Sequence, residues 1–266
     1  MRILVITPEQ LPVPPIKGGS VEACTYNIFR AMARTDQITF LSLAHPKLPL
    51  TSSMQGGKLV IYRISQRNRE LYIKEALRRV RGKRFDIIQI ENRPTFVPFV
   101  RRAFPRTPIV LSLHSLTFMS QLTRDRAHSI LRQVNSVTSV VNFVSQTMRK
   151  KYPAFAQKFK TAILGVDINK FKPVAYSEKE KLRKAWGVDN TYNLLFVGRI
   201  IKRKGLHTLI KTASLLKHKY SDIAIVAVGA SWPGETRETA YMKEVRLLSK
   251  NLKIPLYFTG YVPPSR

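Results

Sequence analysis

Residues 194–206 read L-L-F-V-G-R-I-I-K-R-K-G-L. The apolar run Leu194–Val197 is bracketed by Asn193 and Gly198, and its length suits a buried strand better than a helix. A glycine turn, a basic loop and a helix opening near Gly205 follow. Arg199 and Lys204 then stand at the carboxyl end of a parallel-type strand, where open α/β sheets bind their ligands. Two cations beside a helix N-terminus form a site for a polyanion, because free N–H groups and the helix dipole add to the side-chain charge. By spacing alone a solvated basic loop explains the same residues.

Composition sets the frame around that stretch. A chain of 266 residues favours two domains, and 44% hydrophobic with 23% charged residues describes a globular protein with a core. Cys24 is the sole cysteine, which excludes an intrachain disulfide or a cysteine-based zinc cluster and suits a reducing compartment. It shares a helical pattern with Val21 and Ile28 and reads as buried filler. The N-terminus offers four consecutive apolar residues before Thr7, too few for a signal peptide or a membrane span, so a cytoplasmic protein is expected. The net charge of +30 is spread along the chain and favours acidic partners such as an anionic membrane surface or an acidic polymer. Even spread and the lack of a reader motif argue against specific nucleic-acid binding.

Strand and helix signals alternate along the first half. Strands are expected at Ile3–Ile6, Ile38–Leu43, Leu59–Ile64, Asp86–Ile90, Ile109–Leu113 and Ser136–Val144. A helix from Val21 to about Ala33 has Ser20 as its N-cap and Glu22 in its first turn to complement the dipole. A basic amphipathic helix spans Glu70–Arg81; its default reading is a core helix with a solvated face, its sharper one a membrane-surface contact. Pro94 opens a short helix. Near-continuous apolar strands between helices indicate a parallel sheet covered on both faces. Composition shifts at Gly165, which sets a boundary between domains 1–165 and 166–266. The rhythm then restarts: helix Ser177–Trp186, strand Leu194–Val197, helix Leu206–Lys217, strand Ile223–Val228, helix Glu235–Leu252, strand Leu256–Thr259.

Several polar groups stand where those strands end. Gly18 and Gly19, with Lys17 beside them, follow the first strand and let backbone N–H groups approach an anion, though a flexible turn is the simpler reading. Glu91 and Asn92 close one strand, and His114 follows another. Asp167 fits a turn. No zinc-protease helix, Walker lysine loop, nucleophile elbow or G-x-G-x-x-G fingerprint is present. Three strand ends in the first domain and a cationic loop in the second predict a cleft between two Rossmann-like α/β domains, a usual place for a small-molecule site.

Four motifs in order, P-P-I-K-G-G-S-V-E, L-S-L-H-S, L-G-V-D…F-K-P and V-G-R-I-I-K-R-K-G, resemble the retaining glycosyltransferases of family four, which have the GT-B fold. The pieces L-P-V-P-P-I-K-G-G and D-I-I-Q-I-E-N-R-P are similar to a branch that includes spore coat proteins. The resemblance implies transfer of a hexose from a nucleotide diphosphate sugar to a polysaccharide, glycolipid or protein acceptor, with retention and without metal or cofactor. Arg199 and Lys204 would bind the diphosphate, with Gly18 and Gly19 near it. His114 would hydrogen-bond the donor sugar, backbone near Tyr261 and Val262 would meet the nucleobase, and Glu91 and Asn92 would lie on the acceptor side. His114, Arg199 and Lys204 would carry catalysis.

Two departures qualify that expectation. Leu164 replaces the family's common asparagine before G-V-D. The family's pair of glutamates and its final bracing helix would follow beyond Arg266, so the second domain is expected to be incomplete, with uncovered apolar faces such as Ile223–Val228 and no turnover by the isolated chain. The alternative from another class is a non-catalytic spore-coat-associated or membrane-peripheral protein that binds acidic material through its basic surface.

Overall fold

A computed structural model of the protein describes residues 1–262 apart from 17, 170, 190 and 233. The chain divides into two compact units, Met1–Gly165 and the chain from Val166 onwards.

In the first unit the elements run β1 (Arg2–Ile6), α1 (Ser20–Met32), β2 (Gln37–Leu43), β3 (Thr51–Met54), β4 (Leu59–Ile64), α2 (Arg69–Arg79), β5 (Ile87–Glu91), α3 (Val97–Ala103), β6 (Ile109–Leu113), α4 (Thr117–Ser120), α5 (Arg124–Gln133), β7 (Ser136–Ser139), α6 (Asn142–Lys151) and β8 (Phe159–Thr161). They build one sheet in the order β3-β4-β2-β1-β5-β6-β7-β8, parallel except for the antiparallel edge strand β3. Alternation along β1 sends Leu4 and Ile6 to one face and Ile3 and Val5 to the other. The first face packs on α2, α3, α5 and α6 through Tyr72, Val97, Ile130 and Met148, and the second on α1 through Phe29 and Ala33. The chain leaves β1 towards β2 and β4, then returns to the other side of β1 for β5 to β8. The strand order therefore reverses between β1 and β5, a crevice position where doubly wound sheets take ligands.

The second unit holds α7 (Tyr176–Ala185), β9 (Tyr192–Val197), α8 (Leu206–Leu216), β10 (Ile223–Val228), α9 (Ala240–Asn251) and β11 (Leu256–Gly260). Its strands pair in parallel in the order β11-β10-β9. Leu206, Ile210 and Ala213 of α8 and Val245 of α9 pack on Ile223, Ile225 and Ala227.

Several expectations change. The valine-rich run Ser136–Val144 is a strand only to Ser139, and Asn142 already begins α6. Ser20 is the first helical residue, not the cap; Gly19 occupies the N-cap without a side-chain hydrogen bond. The helix expected from Glu235 starts at Ala240, where the Thr239 hydroxyl caps it by accepting from the Met242 N–H. The apolar run Ile223–Val228 is largely buried; the exposed large apolar residues of this sheet are Tyr192, Leu195 and Val197 on β9 and Tyr257 on β11.

Candidate functional site

Polar side chains gather where β1, β5 and β6 end. After β1, Glu9 is buried and receives two hydrogen bonds from Arg93, Nε to Oε2 at 2.7 Å and Nη2 to Oε1 at 3.2 Å. Arg69 at the start of α2 adds a third contact, Nε to Oε1 at 3.3 Å. Arg93 itself is buried, and its guanidinium lies 4.1 Å from the centre of the Phe118 ring. Burial alone would raise the Glu9 carboxyl, but the hydrogen bonds and charge of Arg93 and the charge of Arg69 hold it below the ordinary glutamate value. Tyr72 of α2 completes the seam by donating its hydroxyl to the Thr7 carbonyl at 3.0 Å.

Glu91 closes β5 and His114 follows β6, which places them side by side. His114 Nε2 and Glu91 Oε2 are 3.0 Å apart, and Gln89 Nε2 donates to Glu91 Oε1 at 2.5 Å. Asn92 has a left-handed backbone, φ 51°, and its side-chain oxygen accepts from the His114 N–H at 3.3 Å. Nε2 is thus engaged by Glu91, and Nδ1 is the ring nitrogen left for another partner. A cavity of about 430 Å³ runs from this pair along the α1 face of the sheet, past Cys24, Thr25, Ile28 and Leu164. Cys24 therefore lines a cavity instead of filling the core.

The glycine loop packs onto the same cluster. Gly19 has φ 118°, and a Cβ there would come within 2.6 Å of Glu22 Oε2 and 2.7 Å of Leu11 Cδ1. Only glycine fits that turn. Glu22, expected as a partner of the helix dipole, is buried, and burial pushes its carboxyl up to about 7 against the opposing effects of a backbone hydrogen bond and of Arg93 and His114. Gly18, φ 88°, precedes the turn, while Lys17 lies outside the described residues.

In the second unit the three strand ends are laced together. Gly198 N–H donates to the Val228 carbonyl and Gly229 N–H to the Gly260 carbonyl, each at 2.9 Å. Gly229, φ 138°, sits so close to β9 that a Cβ would fall 2.0 Å from the Gly198 carbonyl oxygen. Arg199 leaves this lacing with Nε donating to the Ser231 carbonyl at 2.9 Å and its guanidinium 4.5 Å from the centre of the Trp232 ring. Lys204 ends a turn of 3-10 helix, Lys202–Lys204, and Gly205, φ 79°, is the N-cap of α8. Tyr261 and Val262 follow β11 on the same side of the sheet, and the Tyr261 hydroxyl is buried without a hydrogen-bond partner among the described residues.

The structure thus unites Glu91, Asn92 and His114 at the carboxyl ends of β5 and β6, sets Arg199 and Tyr261 just after β9 and β11, and places Lys204 in the turn before α8. Sequence reasoning missed Glu9, Arg93, Glu22 and Trp232. The available signal for Glu9 and Arg93 was their place just after two neighbouring strands; Glu22 and Trp232 gave none. Among the described residues no group of His, Cys, Asp or Glu side chains is placed to hold a metal ion, and no helix is long and apolar enough to cross a membrane.

Two open α/β sheets with polar chemistry at their strand ends define a fold of the GT-B class. The pattern of Glycosyltransferase Family 4 matches residues 18–170, more than half of the chain, and that of glycosyl transferases group 1 matches 178–266, so the chain belongs to glycosyltransferase family 4. YtcC of Bacillus subtilis (strain 168) is 27% identical over 268 residues, covering 99% of this chain and 65% of that protein. Spore coat protein SA of the same organism is 26% identical over 269 residues, covering 99% and 70%. The chain thus spans about two thirds of the length of the curated relatives it matches. Among solved structures, Anabaena Alr3699/HepE in complex with UDP aligns with TM-score 0.71 at 19% identity, over 98% of this chain and 70% of that one. Sucrose-phosphate synthase from Thermosynechococcus elongatus aligns with TM-score 0.74 at 14% identity, over 99% and 71%.

Proposed function

We propose that the chain belongs to an enzyme that transfers a hexose from a nucleotide diphosphate sugar to an acceptor hydroxyl with retention, the second unit binding the donor. The observation that carries this reading is Arg199, held by Ser231 and Trp232 at the end of β9, in the loop that enters α8. Its Nη atoms, the Lys204 ammonium and the first N–H groups of α8 supply positive charge for a diphosphate. That charge matters more as the glycosidic bond breaks and the leaving phosphate becomes more anionic. UDP and UDP-glucose are bound by the structural neighbour Alr3699/HepE, which makes them the first donors to try.

The first unit supplies the group for the sugar. His114, fixed by Glu91, offers Nδ1 to a donor-sugar hydroxyl, and Asn92 sets the backbone that presents it. Retention then proceeds by attack from the face the phosphate leaves, with that phosphate taking the acceptor proton, so no carboxylate nucleophile is required. Tyr261 and Val262 present backbone to the base.

The test is UDP binding by calorimetry. Each of Arg199→Ala and Lys204→Ala should weaken UDP by about 1.5–3 kcal/mol, the worth of a hydrogen bond to a charged group, and leave uridine unchanged. Equal UDP affinity in the wild type and the double variant would remove the donor site from this loop.

A further inference from the structure

The first unit carries a second cavity, of about 340 Å³, lined by neither His114 nor Glu91. It opens between α2, α3, α4 and α5. Its size falls within the range of small-molecule sites, roughly 300–1,000 Å³. Phe96, Phe99 and Phe118 form an aromatic wall, with Ile73 and Leu122 beside them. Two guanidinium groups, Arg69 and Arg126, also line it.

Three features of this lining point to one ligand chemistry. The Thr95 hydroxyl is buried with no hydrogen-bond partner among the described residues, although Thr95 lines the cavity. A buried hydroxyl left unpaired costs free energy that a bound oxygen would recover. The Arg126 guanidinium makes no hydrogen bond or ion pair among the described residues, and Arg69 spends only Nε on Glu9. Both therefore keep donors suited to a multi-oxygen anion. Glu70 is the one carboxylate of the lining, and Lys74 holds it at 2.5 Å. The aromatic wall excludes a bare ion as the intended occupant, since it would be left facing water.

We infer that this cavity binds a phosphate ester carried on an apolar body, with the phosphate at Arg69, Arg126 and Thr95 and the apolar part against Phe99 and Phe118. Thr95 comes just after β5 and Phe118, four residues after His114, comes just after β6, so the cavity opens at the same carboxyl end of the sheet as the proposed sugar-binding histidine. That it serves as the acceptor rests on the transferase reading; that it binds does not.

Calorimetry on the full chain, without any nucleotide sugar, tests the inference with octyl phosphate, octanol and inorganic phosphate. Octyl phosphate should bind at least tenfold more tightly than either of the others. Arg126→Ala and Thr95→Val should each weaken octyl phosphate several-fold and leave octanol unchanged, whereas Phe99→Ala should weaken both. Lys211→Ala, a charge change in the other unit, should alter nothing and so controls for the net charge of +30. Inorganic phosphate binding as tightly as octyl phosphate, or an Arg126→Ala variant with unchanged affinity, would overturn it. UDP binding is measured separately, so failure at one site leaves the other standing.

Discussion

Replacing Arg93 by methionine tests the polar seam at the strand reversal. Arg93 and Glu9 are both buried, joined by two hydrogen bonds, so the substitution leaves a carboxylate out of water with only the half-exposed Arg69 at 3.3 Å for company. Removing one partner of a buried pair costs about 3–5 kcal/mol, and the surviving Arg69 contact puts the expectation near the lower end, about 3 kcal/mol. At about 1.4 kcal/mol per decade that is roughly a hundredfold loss in the protection of amides in β1 and β5. Hydrogen exchange on those two strands is the right assay, because both lie in the first unit and report on it alone. The pH dependence gives the sign. In the wild type the Glu9 carboxyl is held below its ordinary value, so its stabilisation is present above the unfolded carboxylate range and is lost as pH falls through the folded value. In Arg93→Met only a backbone hydrogen bond and the charge of Arg69 still oppose burial, and the carboxyl rises. The deficit should then be largest at neutral pH and shrink towards about pH 4.5, where a proton neutralises the orphan. Glu9→Gln combined with Arg93→Met should recover most of the loss. If the double variant is as unstable as the single one, the lost packing over Phe118 explains the effect and the reasoning from an orphaned charge is wrong.

Three further outcomes are expected. Glu22 has its carboxyl raised to about 7, so it weakens the fold as pH rises from the unfolded carboxylate range to about 7; Glu22→Gln should stabilise the first unit at pH 8 by at most roughly 3 kcal/mol and hardly at all at pH 4, read by urea unfolding. Gly229→Ala should unfold the second unit, because its Cβ would meet the Gly198 carbonyl at 2.0 Å, whereas Gly57→Ala, with open space around it, should cost only about 1 kcal/mol for its positive φ; circular dichroism melts separate the two. Glu91→Gln should lower sugar transfer while leaving UDP affinity within about twofold, since it acts on His114 and not on the phosphates; a matching drop in UDP affinity would deny it that role.

The sequence made the sheets legible where strands are buried on both faces. Ile109–Leu113 and Ile223–Val228 have the bounds read from their apolar runs. It failed where burial is partial. β3, T-S-S-M, is a polar edge strand fixed by pairing with β4, and no local apolar signal marks it. α5 escaped notice because arginines dominate it, although Ala127, Ile130 and Leu131 bury one side. In Ser136–Val144 the later valine and phenylalanine belong to a helix start, where Val141 and Phe143 are exposed. At the candidate site the histidine and glutamate that end adjacent strands could be named separately, but their 3.0 Å contact depends on the order of β5 and β6 in the sheet. Arg63 was beyond reach altogether: it is buried within β4 and donates to the carbonyls of Val13 and Pro49 and to the Ser52 hydroxyl, partners set by tertiary packing.

The position of β1 in the middle of its sheet has a bearing on synthesis. Its two neighbours arrive at different times: β2 begins at residue 37, β5 only at residue 87. Domains assemble from the N-terminus as the chain emerges, so a half-sheet of β1, β2 and β4 can form on the ribosome with one apolar flank of β1 still open. Throughout that interval Glu9 is a carboxylate awaiting an arginine 84 residues downstream. The ion pair that locks the finished sheet therefore cannot form until the chain has been made past β5, and the first half-sheet must hold without it.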